Sequence, residues 1–389
     1  MLNTLSPSIL YLQDGTCYKG WSFFRLLAHS GEIVFNTGMT GYQEILTDPS
    51  YTGQMVVFTY PEIGNTGLNT QDSESTLVHV QALIAKNIAS VSSNWRSSLS
   101  LKNFLILKRL PHIFGIDTRA LAKHIRSQGV MNAVLIYNNP NLNVNSLKFR
   151  DINNINFANT VTTKRIYYIC QSAVNIMVNS YSSFKYINLS STLKTYRIVI
   201  IDFGVKLNIL RKLLNIGCII FVVPANCSYE TILRYKPDGL LLSNGPGNPS
   251  VAQYAIDIIK KMVCFSNIPI FGICMGHQLL NLAIGAKTFK LKFGHRGFNH
   301  PTGSLQYSEI TSQNHGFAVS QDSLLTSDVL NLFKCSSLNL NDLTVSSTLH
   351  KNMPIFSVQY HPEACPGPSD SDYLFKIFIQ LIDLNMIAN

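Results

Sequence analysis

No run of this 389-residue chain approaches the roughly 18 consecutive apolar residues that span a bilayer, so no membrane-spanning helix is expected. No CxxC pair occurs among the eight cysteines, at 17, 170, 218, 227, 264, 274, 335 and 365. Their scatter argues against zinc and thioredoxin-type sites and for a reducing compartment. There is no GxxxxGK[ST] phosphate loop, so ATP chemistry is not expected in this chain. There is no run of five Lys or Arg residues and no basic stretch interleaved with aromatics. The net charge of +10 is therefore dispersed and does not mark a nucleic-acid surface. Residues 1–12 lack the charged and apolar blocks of a signal or transit peptide. Charged residues are only 13% of the chain and hydrophobic ones 46%, which is a globular balance. The abundance of Asn, Ile, Lys, Phe and Tyr fits AT-rich codons, as in a plastid or small bacterial genome.

The length implies two domains, taken as 1–194 and 195–389. The first reads as a smaller mixed β/α domain. Asp14-Gly15 between two short apolar runs is a hairpin turn. Strands are expected near 32–36 and 56–59. A helix is expected over about 118–127, with Asp117 or Thr118 as its N-cap and Gly129 beyond its end. From about 139 to 194 the text is dense in Asn, Ser and Thr and keeps neither period, as in a linker or a loosely constrained domain edge.

After Tyr196 the pattern sharpens. Apolar strands at 197–202, 218–224, 239–242 and 269–273 alternate with helical stretches at 205–215, 254–263 and 275–284. Alternating strands and helices make a doubly wound, flavodoxin-like α/β sheet covered on both faces.

One junction carries chemistry. Ile270–Ile273 is a buried strand that runs into Gly272-Ile273-Cys274-Met275-Gly276 and then a helix. This is a nucleophile elbow with Cys in place of Ser. Its glycines permit a sharp turn, and the helix N-terminus favours the thiolate. Alone, the pattern also fits a structural Cys at a tight turn. A thiol nucleophile needs a base and a group that orients it. Gln359-Tyr360-His361-Pro362-Glu363 offers both at the end of an apolar strand. Pro362 prevents helix and holds His361 extended, so that His361 and Glu363 are expected to point to the same side. The plain alternative is a polar strand end. Gly245-Pro246-Gly247 follows another strand and, with the N–H of Met275, can face an oxyanion. Gln313-Asn314-His315-Gly316-Phe317 suits the head of an amino-acid substrate. In isolation both of these segments also read as ordinary turns.

Together the residues resemble the triad glutamine amidotransferases. The segment 36–51 (NTGMTGYQEILTDPSY), Tyr60-Pro61-Glu62-Ile63-Gly64-Asn65 and Ile116-Asp117-Thr118-Arg119 are similar to the small subunit of carbamoyl-phosphate synthase. That resemblance implies Cys274, His361 and Glu363 as the triad. It implies Ser50, Gly245, Gly247, Met275, Gln278, Asn314, Gly316 and Phe317 as glutamine contacts. It further implies hydrolysis of glutamine through a thioester, and ammonia delivered to a large subunit for arginine and pyrimidine biosynthesis. No cofactor is expected in this chain. ATP and Mg are expected in the large-subunit partner, and neither nucleic acid nor membrane as a partner. Plastid stroma is the expected compartment, with bacterial cytoplasm as the alternative. Met275 stands where Leu is commoner in the family, and Phe298 where Gly is usual. Two rival readings are a stand-alone thiol hydrolase of γ-glutamyl amides and a non-catalytic regulatory or scaffolding subunit.

Overall fold

The computed structural model describes residues 5–138, 149, 154–170, 195–304, 306–325 and 332–388. Contacts divide the chain into two compact units. The first is Met1–Ile155 with Lys292–Gly297, and the second is Asn156–Leu291 with Phe298–Asn389. The division falls near 155 and not at 194. Phe157 and Ala158 are buried, a short helix spans Ala158–Val161, and Thr163 donates its N–H to the Asp202 carboxylate at 2.6 Å. The expected linker thus contains ordered structure belonging to the second unit. The rest of it, 139–148, 150–153 and 171–194, lies outside the described residues.

The first unit contains β1 (Ser6–Leu12), β2 (Cys17–Ser22), β3 (His29–Asn36), β4 (Gln54–Phe58), β5 (Glu62–Ile63), β6 (Ala82–Ile84), β7 (Asn87–Ile88), β8 (His112–Ile113) and β9 (Met131–Tyr137). Seven of these form one mixed sheet in the order β2-β1-β9-β3-β4-β6-β8, while β5 and β7 pair separately. The Asp14-Gly15 hairpin is present. Gly15 has φ +89° and the Asp14 carboxylate accepts the Thr16 N–H at 3.0 Å. The anticipated helix spans Thr118–Gln128. Asp117 caps it by accepting the Ala120 N–H at 2.9 Å, and Gly129 closes it with φ +100°. Its Leu121 and Ile125, four apart on one face, join the core built by β1, β3, β4 and β6.

The second unit contains β10 (Tyr167–Ile169), β11 (Arg197–Asp202), β12 (Ile219–Pro224), β13 (Gly239–Leu242), β14 (Ile270–Ile273), β15 (Thr288–Ser304), β16 (Tyr307–Val319), β17 (Phe333–Asn339), β18 (Val345–His350) and β19 (Ile355–Val358). The sheet order is β10-β12-β11-β13-β14-β19-β18-β17-β15-β16. Its parallel centre, β12-β11-β13-β14-β19, has the 2-1-3-4-5 order of the flavodoxin-like sheet. These strands are nearly all apolar because helices cover both faces. The helices Leu207–Asn215 and Tyr373–Ala388 bring Ile209, Leu213, Phe375, Phe378 and Ile382 against one face. The helices Tyr229–Arg234, Gln253–Phe265 and Met275–Ala283 bring Ile232, Ile259, Leu279 and Leu280 against the other. The antiparallel extension β18-β17-β15-β16 was not anticipated. Pro301 and the glycines at 294, 297 and 303 break the alternation by which a strand is read. In such a sheet, sites lie beyond the carboxyl ends of the parallel strands. Among the described residues no helix is long and apolar enough to cross a membrane.

Candidate active site

Cys274 sits between β14 and the helix Met275–Ala283 with φ +51° and ψ −99°. A side chain rarely tolerates that conformation, so the surroundings must impose it. Three backbone bonds do so. The Cys274 N–H donates to the Val358 carbonyl of β19 at 2.8 Å, and the Gly276 N–H to the Ser243 carbonyl at 3.0 Å. Within the new helix, the Gln278 N–H donates to the Cys274 carbonyl at 3.1 Å. The two glycines are required by space. A Cβ on Gly276 would lie 2.2 Å from the Leu242 carbonyl oxygen, and one on Gly272 3.0 Å from the Gly276 backbone and from Ser357. The thiol is 1% exposed and points toward the Asn314 carbonyl at 3.6 Å and the Gln359 amide nitrogen at 3.7 Å.

His361 follows β19. Its N–H donates to the Ser312 carbonyl of β16 at 2.9 Å, and its ring Nδ1 is 2.7 Å from Glu363 Oε1. The route differs from the extended chain expected. The Ala364 N–H donates to the His361 carbonyl at 3.1 Å, so residues 361–364 form a turn. Pro362 at the second position of the turn suits that geometry. The turn folds Glu363 back onto the imidazole, the same contact by another backbone path. The other ring nitrogen, Nε2, makes no ordinary hydrogen bond among the described residues. Cys274 is nonetheless among the groups that raise the ring above its ordinary value.

Lys206 completes the array, and the sequence reading missed it. Its ammonium is 3.0 Å from Glu363 Oε1 and donates to the Ala364 carbonyl at 2.6 Å. Asn208 adds a bond from its amide to the Glu363 carbonyl at 2.5 Å. Lys206, His361 and Glu363 are all at most 2% exposed. Burial alone would push the His361 imidazolium down. The Glu363 carboxylate and Cys274 outweigh it, so the ring is held well above its ordinary value. For Glu363 burial pulls upward, but Lys206 and His361 win and lower it to about 2. At neutral pH the pair is therefore imidazolium and carboxylate. The signal for Lys206 was its place just beyond the carboxyl end of β11, the first parallel strand.

The remaining candidates fall as follows. Met275 is the first residue of its helix, so its N–H has no acceptor within the helix. Gly245 is packed so closely that a Cβ would meet the Phe203 carbonyl oxygen at 2.4 Å, and Gly247 has φ +92°. Both lie on the loop after β13, whose Ser243 holds the Gly276 N–H. Asn314, Gly316 and Phe317 lie on β16. Gln278 donates its amide to the Phe317 carbonyl at 2.7 Å and to Gln359 Oε1 at 3.0 Å, which ties the helix, β16 and the β19 end together. Gln359 thus joins two predicted residues and was also missed. Phe298 is half-buried, with its Cβ 3.7 Å from where a Cβ on Gly367 would stand, so it packs beside the loop after the triad. Ser50 belongs to the first unit, where it is buried in the turn Pro49–Tyr51 and donates its N–H to the Asp48 carboxylate at 2.8 Å.

A doubly wound sheet with a strained Cys at a strand-to-helix turn and a His–Glu pair beside it defines the triad class of glutamine amidotransferases. Family comparison agrees. Residues 199–381 match the glutamine amidotransferase class-I model, and residues 10–135 match the carbamoyl-phosphate synthase small chain, CPSase domain. A carbamoyl phosphate synthase small chain from Gracilaria tenuistipitata var. liui is 53% identical, covering 98% of this chain and 95% of its own. Those of Pyropia yezoensis and of Nostoc sp. are each 50% identical over 97% of this chain, covering 97% and 96% of their own lengths. The chain belongs to the carbamoyl phosphate synthase small chain family, and it is the glutamine amidotransferase subunit of that enzyme.

Proposed function

We propose that Cys274 hydrolyses glutamine by a covalent route and that the ammonia is passed to a large subunit that makes carbamoyl phosphate. The thiolate attacks the side-chain amide carbon. The oxyanion that forms is received by the N–H groups of Gly247 and Met275. His361 gives its proton to the departing nitrogen, which leaves as ammonia, and a γ-glutamyl thioester remains. His361, now neutral, takes a proton from water as the water attacks the thioester. Glutamate leaves and the thiolate is restored. Throughout, Glu363 and Lys206 hold the ring in orientation and charge. Gly245, Gln278, Asn314, Gly316 and Phe317 hold the substrate. The observation that carries this reading is the buried Cys274 at φ +51° facing a His361 that Glu363 grips at 2.7 Å.

ATP, Mg and bicarbonate are handled by the large subunit, since activating bicarbonate needs a phosphate site for which this sequence has no motif. Free ammonia in neutral water is mostly ammonium, which is not a nucleophile, so a shielded path to that partner is required. Arginine and pyrimidine biosynthesis are the pathways fed. The plastid stroma is the compartment, supported by the abundance of residues with AT-rich codons and by small chains of Gracilaria and Pyropia among the relatives. The test is to measure carbamoyl phosphate formed from glutamine, ATP and bicarbonate by the chain alone and with a large chain. Synthesis is expected only from the pair. Full synthesis by the isolated chain, or failure to associate with a large chain, overturns the reading.

A further inference from the structure

The first unit carries a recess of its own. It is a cavity of about 930 Å³ whose walls include Lys86, Arg119, Lys123 and Arg126. The three residues on the helix Thr118–Gln128 fall at i, i+4 and i+7, so they make one stripe along it. Lys86 comes from the turn between β6 and β7 and faces the same space. All four are exposed, and none forms an ion pair with another described residue. The floor is apolar, with Phe35, Ile116 and Pro61. Four cations around one recess repel each other, and nothing in the fold requires them there. The core contacts of this helix are made by Leu121 and Ile125 on its opposite side.

The shape of the charge decides between ligands. A compact phosphate would seek the helix N-terminus. Here that end is already capped by the Asp117 carboxylate, which accepts the Ala120 N–H and repels a second anion. The cations instead run along the helix. Arg119 and Lys123 are about 6 Å apart along the axis, and the stripe is about 10 Å long. Alternate residues of an extended chain are about 7 Å apart, which matches that spacing. The apolar floor can take a side chain between the acidic ones.

We propose that this groove is a docking surface for an extended acidic segment of the synthase large chain. The proposal rests on the partnership stated above and adds where that partner is held. It places electrostatic recognition on the first unit.

The test is association of the full chain with its large chain, read as a Kd over a range of salt. The doubly reversed variant Arg119→Glu with Lys123→Glu is compared with Lys260→Glu and Lys261→Glu. That control pair is exposed on the helix Gln253–Phe265 and changes the net charge equally. The groove variant should bind at least about tenfold more weakly at low salt, with the gap narrowing from about 0.05 M to about 0.5 M salt. The control should bind as wild type. The milder Arg119→Gln with Lys123→Gln should fall between, and glutaminase of each isolated variant should stay at the wild-type level, which shows that the fold is intact. Equal loss in both charge-reversed pairs, or loss in neither, overturns the docking surface while leaving the function standing. Saturable binding of inorganic pyrophosphate that the groove variant abolishes, with large-chain affinity unchanged, overturns it in favour of a small-anion site. If wild type itself does not associate, the functional reading falls and this inference with it.

Discussion

Replacing Lys206 by Met keeps most of the side-chain volume and removes one charge from a buried array. In the native protein Glu363 is held at about 2 against an ordinary value of 4.5. That difference is worth about 3 kcal/mol of folded-state stabilisation, shared between Lys206 and His361. Removing one partner of a buried ion pair generally costs 3–5 kcal/mol, because the other charge stays buried. Here His361 still faces the carboxylate at 2.7 Å, so about 3 kcal/mol is the better figure. For a unit of this size that lowers Tm by about 6–12 °C. The pH dependence has a definite sign. Glu363 has a depressed folded value, so its contribution is present above its unfolded value and is lost as pH falls through the folded one. In the variant the folded value rises. The stability gap between the proteins should therefore be full above about pH 5 and shrink as the solution is acidified. Urea unfolding of both proteins between about pH 4 and pH 8 measures this. A gap below about 1 kcal/mol at neutral pH, or one that widens in acid, refutes the ion-pair argument.

Cys274→Ser should abolish glutamine-dependent synthesis in the reconstituted enzyme while leaving ammonia-dependent synthesis intact, since a hydroxyl is far less ionised than a thiol. Glu363→Gln removes the carboxylate charge, the largest of the influences that raise His361, so the ring loses its proton at lower pH; the alkaline limb of the kcat/KM profile should move down, and an unmoved limb removes Glu363 from that role. In wild type the His361 stabilisation is full below its unfolded value of about 6.5 and is lost as pH rises through the folded value, so the stability deficit of this variant should be largest in mild acid. Gly276→Ala places a Cβ 2.2 Å from the Leu242 oxygen, displaces the Cys274 turn and should cost about a hundredfold in glutaminase rate; normal turnover refutes the tight-turn argument.

Features that depend on neighbours in the chain were legible. The Asp14-Gly15 hairpin, the Asp117 cap and the alternating strands and helices of the second unit each follow from local rules, and each is present. The Gly-x-Cys-x-Gly turn was legible for the same reason, because its glycines fill positions where a Cβ has no room. What the sequence hid is what distance in the chain hides. Lys206 meets a residue 157 positions away, and no periodicity announces that. Gln359 meets Cys274 only because β19 lies beside β14. The Glu363 contact was anticipated through the wrong backbone path, since the dipeptide His361-Pro362 permits both an extended chain and a turn.

The electrostatics of the site impose a condition that the triad alone does not meet. In the mechanism proposed above the array holds a thiolate, an imidazolium and a carboxylate, a net charge of −1 in a region where Cys274, His361 and Glu363 are at most 2% exposed. Burying an uncompensated charge costs several kcal/mol. Lys206, itself 2% exposed, brings the sum to zero. Glu363 lies between the His361 ring at 2.7 Å and the Lys206 ammonium at 3.0 Å, and the ammonium is further satisfied by the Ala364 carbonyl at 2.6 Å. The ammonium comes from the segment after β11, and the nucleophile from the turn after β14. The base and its orienter come from the segment after β19. All three segments leave the same end of the parallel sheet. The fold thus delivers a compensating fourth charge to this buried site along with the other three groups.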